Sequence, residues 1–274
     1  MSPEPDSGAL IPPGGGERPF DLFYRIVVDR EEICAQQSDH TPGVLEPPPH
    51  VHHHHSDCFF VIEGHLDVRC GDTQTRLEQG GLIFAPPDLV HGYSDGPARF
   101  LNIHAPGMQF ADRLRGKEIE FDQHEPPDDG GRPARDGILL ADGEGDWIEL
   151  GAARACVKVP GGAGIGSLGV ILFELPAGSP GPPPHIHERM TDSFYVLSGT
   201  PQIRLGDELL DAPPDSYAYA PPGVVHTISN PGDEPARFLG ITAPGGLDTY
   251  LRELAADPAD FPAIAARHDV VPAN

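Results

Sequence analysis

Lysine is nearly missing from this chain: Lys117 and Lys158 are the only two in 274 residues. Lys plus Arg number 18 against 42 Asp plus Glu, a formal net charge of −24. Such a surface repels phosphate backbones and anionic lipids, which argues against nucleic acid or a membrane as partner. Cysteine is scarce as well. Cys34, Cys58, Cys70 and Cys156 match neither a C-x-x-C motif nor a disulfide framework, so they read as reduced thiols. No apolar run nears the ~18 residues that span a bilayer. The opening segment, MSPEPDSGALIPPGGGERP, lacks a basic n-region and an apolar h-region and does not read as a signal peptide. A soluble, cytoplasmic protein is the expectation. Long helical patterns are missing too.

Glycine and proline are abundant, at 33 each, yet 38% of the residues are hydrophobic. Many short strands joined by turns fit this balance better than disorder does. The chain is long enough for two domains that need no disulfide support.

The chain repeats itself. PPPHVHHHHSDCFFVIEG at 47–64 answers PPPHIHERMTDSFYVLSG at 182–199, an offset of 135 residues. The same offset relates His50 to His185, His52 to His187, Asp57 to Asp192, Gly64 to Gly199, and His91 to His226. After a three-residue insertion, ARFLNIHAPG at 98–107 answers ARFLGITAPG at 236–245. The repeat divides the chain into a flexible N-terminal tail (1–19), a first unit (20–115), an acidic Pro/Gly linker (116–138), a second unit (139–255) and a C-terminal tail (256–274) with one helical stretch near PAIAARH. Within each unit, short β-branched and aromatic runs alternate with Gly, Pro and Asp at the spacing of a sandwich or barrel. Helical spacing appears after each barrel, in MQFADRLR and LDTYLREL.

Residues i and i+2 of a strand face one side. His50 and His52 therefore form a chelating pair, as do His185 and His187. Asp57 and Asp192 follow five residues later, and His91 and His226 arrive after a Pro-Pro turn. Three imidazoles and a carboxylate, with room left for water, suit Fe(II), Mn(II), Ni(II), Cu(II) or Zn(II). At most one ion per barrel is expected, and spacing does not choose among the metals. In the run His52–His55, strand parity puts His54 inward and His53 and His55 outward. Phe59 and Val61 share the face of Asp57, and Phe194 and Val196 that of Asp192. All four are candidate pocket walls for an apolar ligand. Cys58 reads as packing and Trp147 as a core anchor. His65, His104 and His124 have no counterpart in the second copy and stay outside the expected site.

HVHHHHSDCFFVIEG with GGLIFAPPDLVHGYSD, and HIHERMTDSFYVLSG with DSYAYAPPGVVHTISN, resemble the two motifs of the cupin superfamily. Both motifs occur twice, over about residues 20–255. PPPHxH followed by FYVL-x-G looks most like the quercetin-dioxygenase-like bicupins. The resemblance implies an all-β fold of two tandem jelly-roll (double-stranded β-helix) barrels, each followed by a short helix. It also implies a homodimer and a metal-dependent dioxygenase acting on an enol or phenol, flavonoid-like or polyketide-like. A cyclase or isomerase and a non-enzymatic small-molecule binder are the alternatives. Asp57 and Asp192 stand where the family usually has Glu, and each is read as ligand or general base. Asp88 replaces a motif glycine, Asp215 answers Gly80, and Asp95 replaces the motif asparagine that Asn230 supplies. Aspartate tolerates the left-handed backbone of such turns.

Overall fold

The computed structural model describes residues 7–21, 23–40, 47–94, 96–128, 131–133, 135–162 and 167–273. Asp95 lies outside them. The described chain is strand-rich and divides into two β-barrels. Both follow the expected jelly-roll plan.

In the first barrel the sheet order is Tyr24–Asp29, Cys34–His40, Ala98–Ala105, Ser56–Cys70, Leu82–Ala85 and Ile138–Leu140. Ser56–Cys70 is long because it serves two faces. Its first half pairs with Ala98–Ala105 and Leu82–Ala85, and its second half with Thr73–Glu78 and His91–Ser94. The turn between the halves falls at Gly64, after a register shift between Val61 and Glu63. Gly64 has φ +77°, and a Cβ there would lie 1.9 Å from the Pro97 carbonyl oxygen. Only glycine fits. Phe59, Val61, Leu66, Val68, Ile83 and Phe100 fill the interior. Burying one such side chain contributes about 1.5–3 kcal/mol.

The second barrel has a sheet ordered Ala9–Ile11, Tyr217–Ala220, Thr191–Ser198, Ala236–Ala243, Gly169–Leu175, Ala153–Val159 and Asp146–Leu150. A second sheet is ordered Glu208–Asp211, Gln202–Leu205, His226–Ser229, His185–His187 and Val270–Pro272. Phe194, Val196, Ile203 and Phe238 repeat the first core's theme. Asp88 (φ 66°) and Asp215 (φ 71°) take the left-handed backbone, like their counterparts Gly223 and Gly80. The departures from the motif glycines therefore keep their turns.

Three segments outside the two motifs behave differently from the expectation. Ala9–Ile11, placed in a flexible tail, is a strand that pairs with Tyr217–Ala220 of the second barrel. Its apolar Ala-Leu-Ile run covers an otherwise open sheet edge. Ile138–Leu140 pairs with Leu82–Ala85 of the first barrel, so the expected boundary after residue 138 falls inside a strand. Val270–Pro272, placed in the C-terminal tail, pairs with His185–His187. Trp147 is a further correction. It is half-buried on an outer strand with the Arg154 guanidinium over its ring, while its neighbour Ile148 enters the packing with Tyr250 and Leu251.

The helices are short, at Phe110–Leu114, Leu247–Ala256 and Phe261–Arg267. Among the described residues no helix is long and apolar enough to cross a membrane. All four cysteines are free and buried.

Candidate metal centres

In the first barrel one ligand atom each from His50, His52, Asp57 and His91 lies within 4.8 Å of the others. All four residues are buried. The backbone sets this up. His50 and His91 face each other across an antiparallel bridge, each donating its N–H to the other's carbonyl at 2.9 Å. Their rings sit 4.5 Å apart. His52 follows two residues later on the same face, with its ring 4.9 Å from that of His91. The second barrel repeats the device. His185 pairs with His226, their rings are 4.5 Å apart, and His187 lies 5.2 Å from His226.

The six imidazoles are held in one tautomer. The Nδ1–H of His50 donates to the Pro48 carbonyl at 2.8 Å, that of His91 to Leu89 at 2.8 Å, and that of His52 to Asp122. In the second barrel His185 donates to Pro183 at 2.9 Å, His226 to Val224 at 2.9 Å, and His187 to Asp269 at 3.0 Å. An imidazole fixed this way presents its Nε2 lone pair inward. The Nε2 atoms of His52, His91, His187 and His226 are buried with no hydrogen-bond partner among the described residues. An unpartnered buried nitrogen is costly unless something binds it. Burial lowers the pKa of His50 and of His185 to about 4 and also lowers His52 and His187, which keeps them neutral and ready to ligate. These donor sets suit a divalent transition metal.

The carboxylates differ. Asp57 Oδ2 lies 3.4 Å from His91 Nε2 and 3.7 Å from His52 Nε2, while Oδ1 accepts a hydrogen bond from the Asn102 amide. Burial works against ionisation of Asp57, but His104, His52 and His91 outweigh it and hold the carboxyl well below its usual range. Asp192 Oδ2 lies 3.4 Å from His226 Nε2 and 3.9 Å from His187 Nε2. Its Oδ1 is buried with no hydrogen-bond partner among the described residues. Asp192 raises His226, against the opposing pull of burial.

Each centre borrows a carbonyl from a segment outside the cupin motifs. Asp122 lies in the expected linker and Asp269 in the expected tail. Both add a bridge or strand beside the histidine pair: Val51 with His124, and Ile186 with Val271. Their side chains also correspond, since Asp122 accepts the N–H groups of His53 and His54, and Asp269 that of Arg189. One aspartate in each copy was the only trace in the sequence. The longer helical segment of the second copy moves it out of the repeat's register.

The histidine run also differs from the parity reading. The strand breaks after Val51, bends at His53 and His54, and resumes at Ser56. His54 is therefore exposed and His55 fully buried, the reverse of the expectation. His104, expected outside the site, is buried with Nε2 3.7 Å from Asp57 Oδ1. His124 stacks on His53 at the surface. Arg189, next to the second site in sequence, is exposed and pairs with Asp269.

Each centre opens on a cavity. In the second barrel it measures about 430 Å³, and Phe173, Leu175, Phe194, Phe238 and Tyr250 line it with His185, Asp192 and His226. No Lys or Arg is among its lining residues. In the first barrel it measures about 280 Å³ and is more polar, with Gln36, Asn102, His104 and Arg113 beside His50, His52 and Asp57. Phe59 lines the first cavity and Phe194 the second. Val61 and Val196 point into the packed cores instead.

Two jelly-roll barrels, the first gathering three imidazoles and a carboxylate and the second three imidazoles with Asp192 beside two of them, define a metal-binding double-barrelled protein. The Cupin domain family model matches residues 39–104 and 171–242, about half of the chain. The chain belongs to the cupin family, and with two such domains it is a bicupin. Over 98% of its length it is similar to an oxalate decarboxylase structure, with a TM-score of 0.60, 16% identity and 92% of that chain covered. A structure of Bacillus subtilis oxalate decarboxylase directed at its Mn(II) centres gives a TM-score of 0.59, at the same identity and coverage. At this identity the likeness speaks for the fold alone. A segment of 68 residues is 31% identical to the xanthan biosynthesis protein XanB of Xanthomonas campestris pv. campestris (strain B100), spanning 25% of this chain and 14% of that protein.

Proposed function

We propose that this bicupin is a metal-dependent dioxygenase for an apolar enol or phenol, with the second barrel as its working site. One observation carries the reading: an apolar cavity of about 430 Å³ ends on His185, His226 and Asp192 and offers no cation. A small dianion such as oxalate would enter such a cavity without a counter-charge. A flat, largely apolar molecule with one ionisable hydroxyl meets aromatic walls and a single polar end.

His185, His187 and His226 would hold the ion, with Asp192 as fourth ligand or neighbouring base. A bound divalent ion supplies Lewis acidity towards a substrate oxygen and, if redox-active, access to O₂. Asp192 Oδ1, which has no hydrogen-bond partner among the described residues, would accept the substrate's hydroxyl proton. Phe173, Phe194 and Phe238 orient the ring system and exclude water from that end of the cavity. His50, His52, His91 and Asp57 would hold the ion of the first barrel. The homodimer belongs to the same reading and rests on the resemblance.

The test is an oxygen-electrode screen of flavonols and related enols with metal-loaded protein, with oxalate run alongside. Consumption of O₂ with a phenolic substrate, lost in Asp192→Asn, supports the reading. Turnover without O₂ uptake moves the protein to an isomerase or cyclase. Binding without turnover makes it a small-molecule carrier. Light scattering reads the oligomeric state.

A further inference from the structure

The first barrel holds a second group of imidazoles that its cupin motif does not use. One ring nitrogen each from His52, His55 and His104 lies within 4.8 Å of the others, and all three residues are buried. The rings of His52 and His55 stack at 4.0 Å, and those of His55 and His104 lie 5.0 Å apart.

Their hydrogen bonds assign the free lone pairs. His52 Nδ1–H is spent on the Asp122 carbonyl, and His55 Nδ1–H on Asp122 Oδ2 at 2.9 Å. His104 Nε2–H donates to Asn102 Oδ1 at 3.2 Å, and that oxygen also accepts from Gln36. What remains is His52 Nε2, His55 Nε2 and His104 Nδ1, all buried and without a partner among the described residues. A carboxylate behind an imidazole is the arrangement that orients metal-bound histidines and raises their basicity. Asp122 gives this to His55, with the N–H groups of His53 and His54 fixing the carboxylate in turn. Phe110 and Phe121 pack against the rings on the far side.

We infer that the first barrel has a second metal seat, formed by His52, His55 and His104, beside the His50/His52/His91/Asp57 seat. His52 Nε2 belongs to both seats, and one nitrogen lone pair binds one ion, so the seats are alternatives. The second seat offers three imidazole nitrogens and no oxygen. It takes ions that favour imidazole, such as Zn(II), Cu(II) or Co(II). Ions that favour oxygen stay with Asp57. The second barrel has no such choice, because Met190 and Thr242 stand where the first has His55 and His104.

The probe is Co²⁺ alone, added to metal-free full-length protein carrying His185→Ala and His187→Ala so that the second barrel is silent. Adding His50→Ala and His91→Ala removes the motif seat and keeps His52. About one Co²⁺ per chain should still bind, with the d–d absorption of a nitrogen-rich, low-coordinate site. Adding His55→Met should then weaken it on the order of 10–100-fold or more. No Co²⁺ bound by the His50→Ala/His91→Ala protein, with native circular dichroism and melting, overturns the inference. If that protein does not fold, His55→Met with His104→Thr decides with the motif seat intact, since these are the residues the second barrel carries at the same positions. The Co²⁺ spectrum should lose its nitrogen-rich component. An unchanged spectrum and titration also overturns the inference. Both readouts are independent of dioxygenase activity.

Discussion

The two barrels are copies that solve one problem with different interiors. Both hold a histidine pair across an antiparallel bridge, a third histidine two residues on, and an aspartate facing them. They part at the strand opposite the aspartate. In the first barrel Asn102 and His104 stand there, and the amide ties down Asp57. In the second the same positions are Gly240 and Thr242. Gly240 leaves space that Phe173 occupies, since a Cβ there would come within 2.6 Å of the Phe173 ring. These positions are among those at which a smaller, more polar cavity with a hydrogen-bonded carboxylate differs from a larger apolar one. A shared fold and metal geometry do not make the two sites equivalent.

The comparison can be broken most severely at the ligands. His185→Ala with His187→Ala should remove one equivalent of metal and abolish turnover. His50→Ala with His52→Ala should remove the other equivalent at a smaller cost in turnover. Elemental analysis and O₂ uptake measured on both proteins decide. Equal losses of turnover would mean that the barrels work as equals.

Next in size is the aspartate. Asp192→Asn should lower kcat by about 10²–10⁴-fold, the range for loss of a general base. Asp57→Asn should cost less, because Asn102 already engages its Oδ1. Steady-state kinetics of the two variants, both metal-loaded, give the ratio. A larger effect at Asp57 would transfer the chemistry to the first barrel.

A structural exchange comes third. Gly240→Asn, which brings the first barrel's residue into the second, should destabilise by about 1–3 kcal/mol by overpacking against Phe173. Urea denaturation measures it. A neutral outcome would show that Phe173 moves aside freely and does not define the cavity.

The smallest effect is acid sensitivity of the metal-free protein. Burial lowers His50 and His185 to about 4, from an ordinary value of 6.5. Between these values the unfolded chain holds the extra proton, so stability is full above about pH 6.5 and falls as pH drops towards 4. His52 and His104 are lowered as well in the first barrel and His187 in the second, whereas His226 is raised in the second and acts in the opposite direction. The first barrel should therefore lose more stability on acidification, read by melting curves of the metal-free chain from pH 7 to pH 4. A greater loss in the second barrel would contradict this assignment of the shifts.

The sequence by itself determined the duplication and the jelly-roll class, and it singled out His50, His52, Asp57, His91, His185, His187, Asp192 and His226 as candidates. Alternation along strands and a fixed repeat offset are local signals, and they place these side chains on one face without knowledge of distant partners. Phe59 and Phe194 were legible by the same parity. Tertiary structure decided what depends on contacts between distant segments. Strand parity fails at His54 and His55 because Asp122, about seventy residues away, accepts the N–H groups of His53 and His54 and bends the chain. That bend buries His55 and creates its cluster with His104. The tail and linker strands Ala9–Ile11, Ile138–Leu140 and Val270–Pro272 are three residues each, too short to carry a period of their own. They become strands only because a sheet edge elsewhere in the fold supplies their hydrogen bonds. Phe173, which lines the second cavity, meets Gly240 on the neighbouring strand, a contact between segments far apart in the chain that no single stretch of sequence contains.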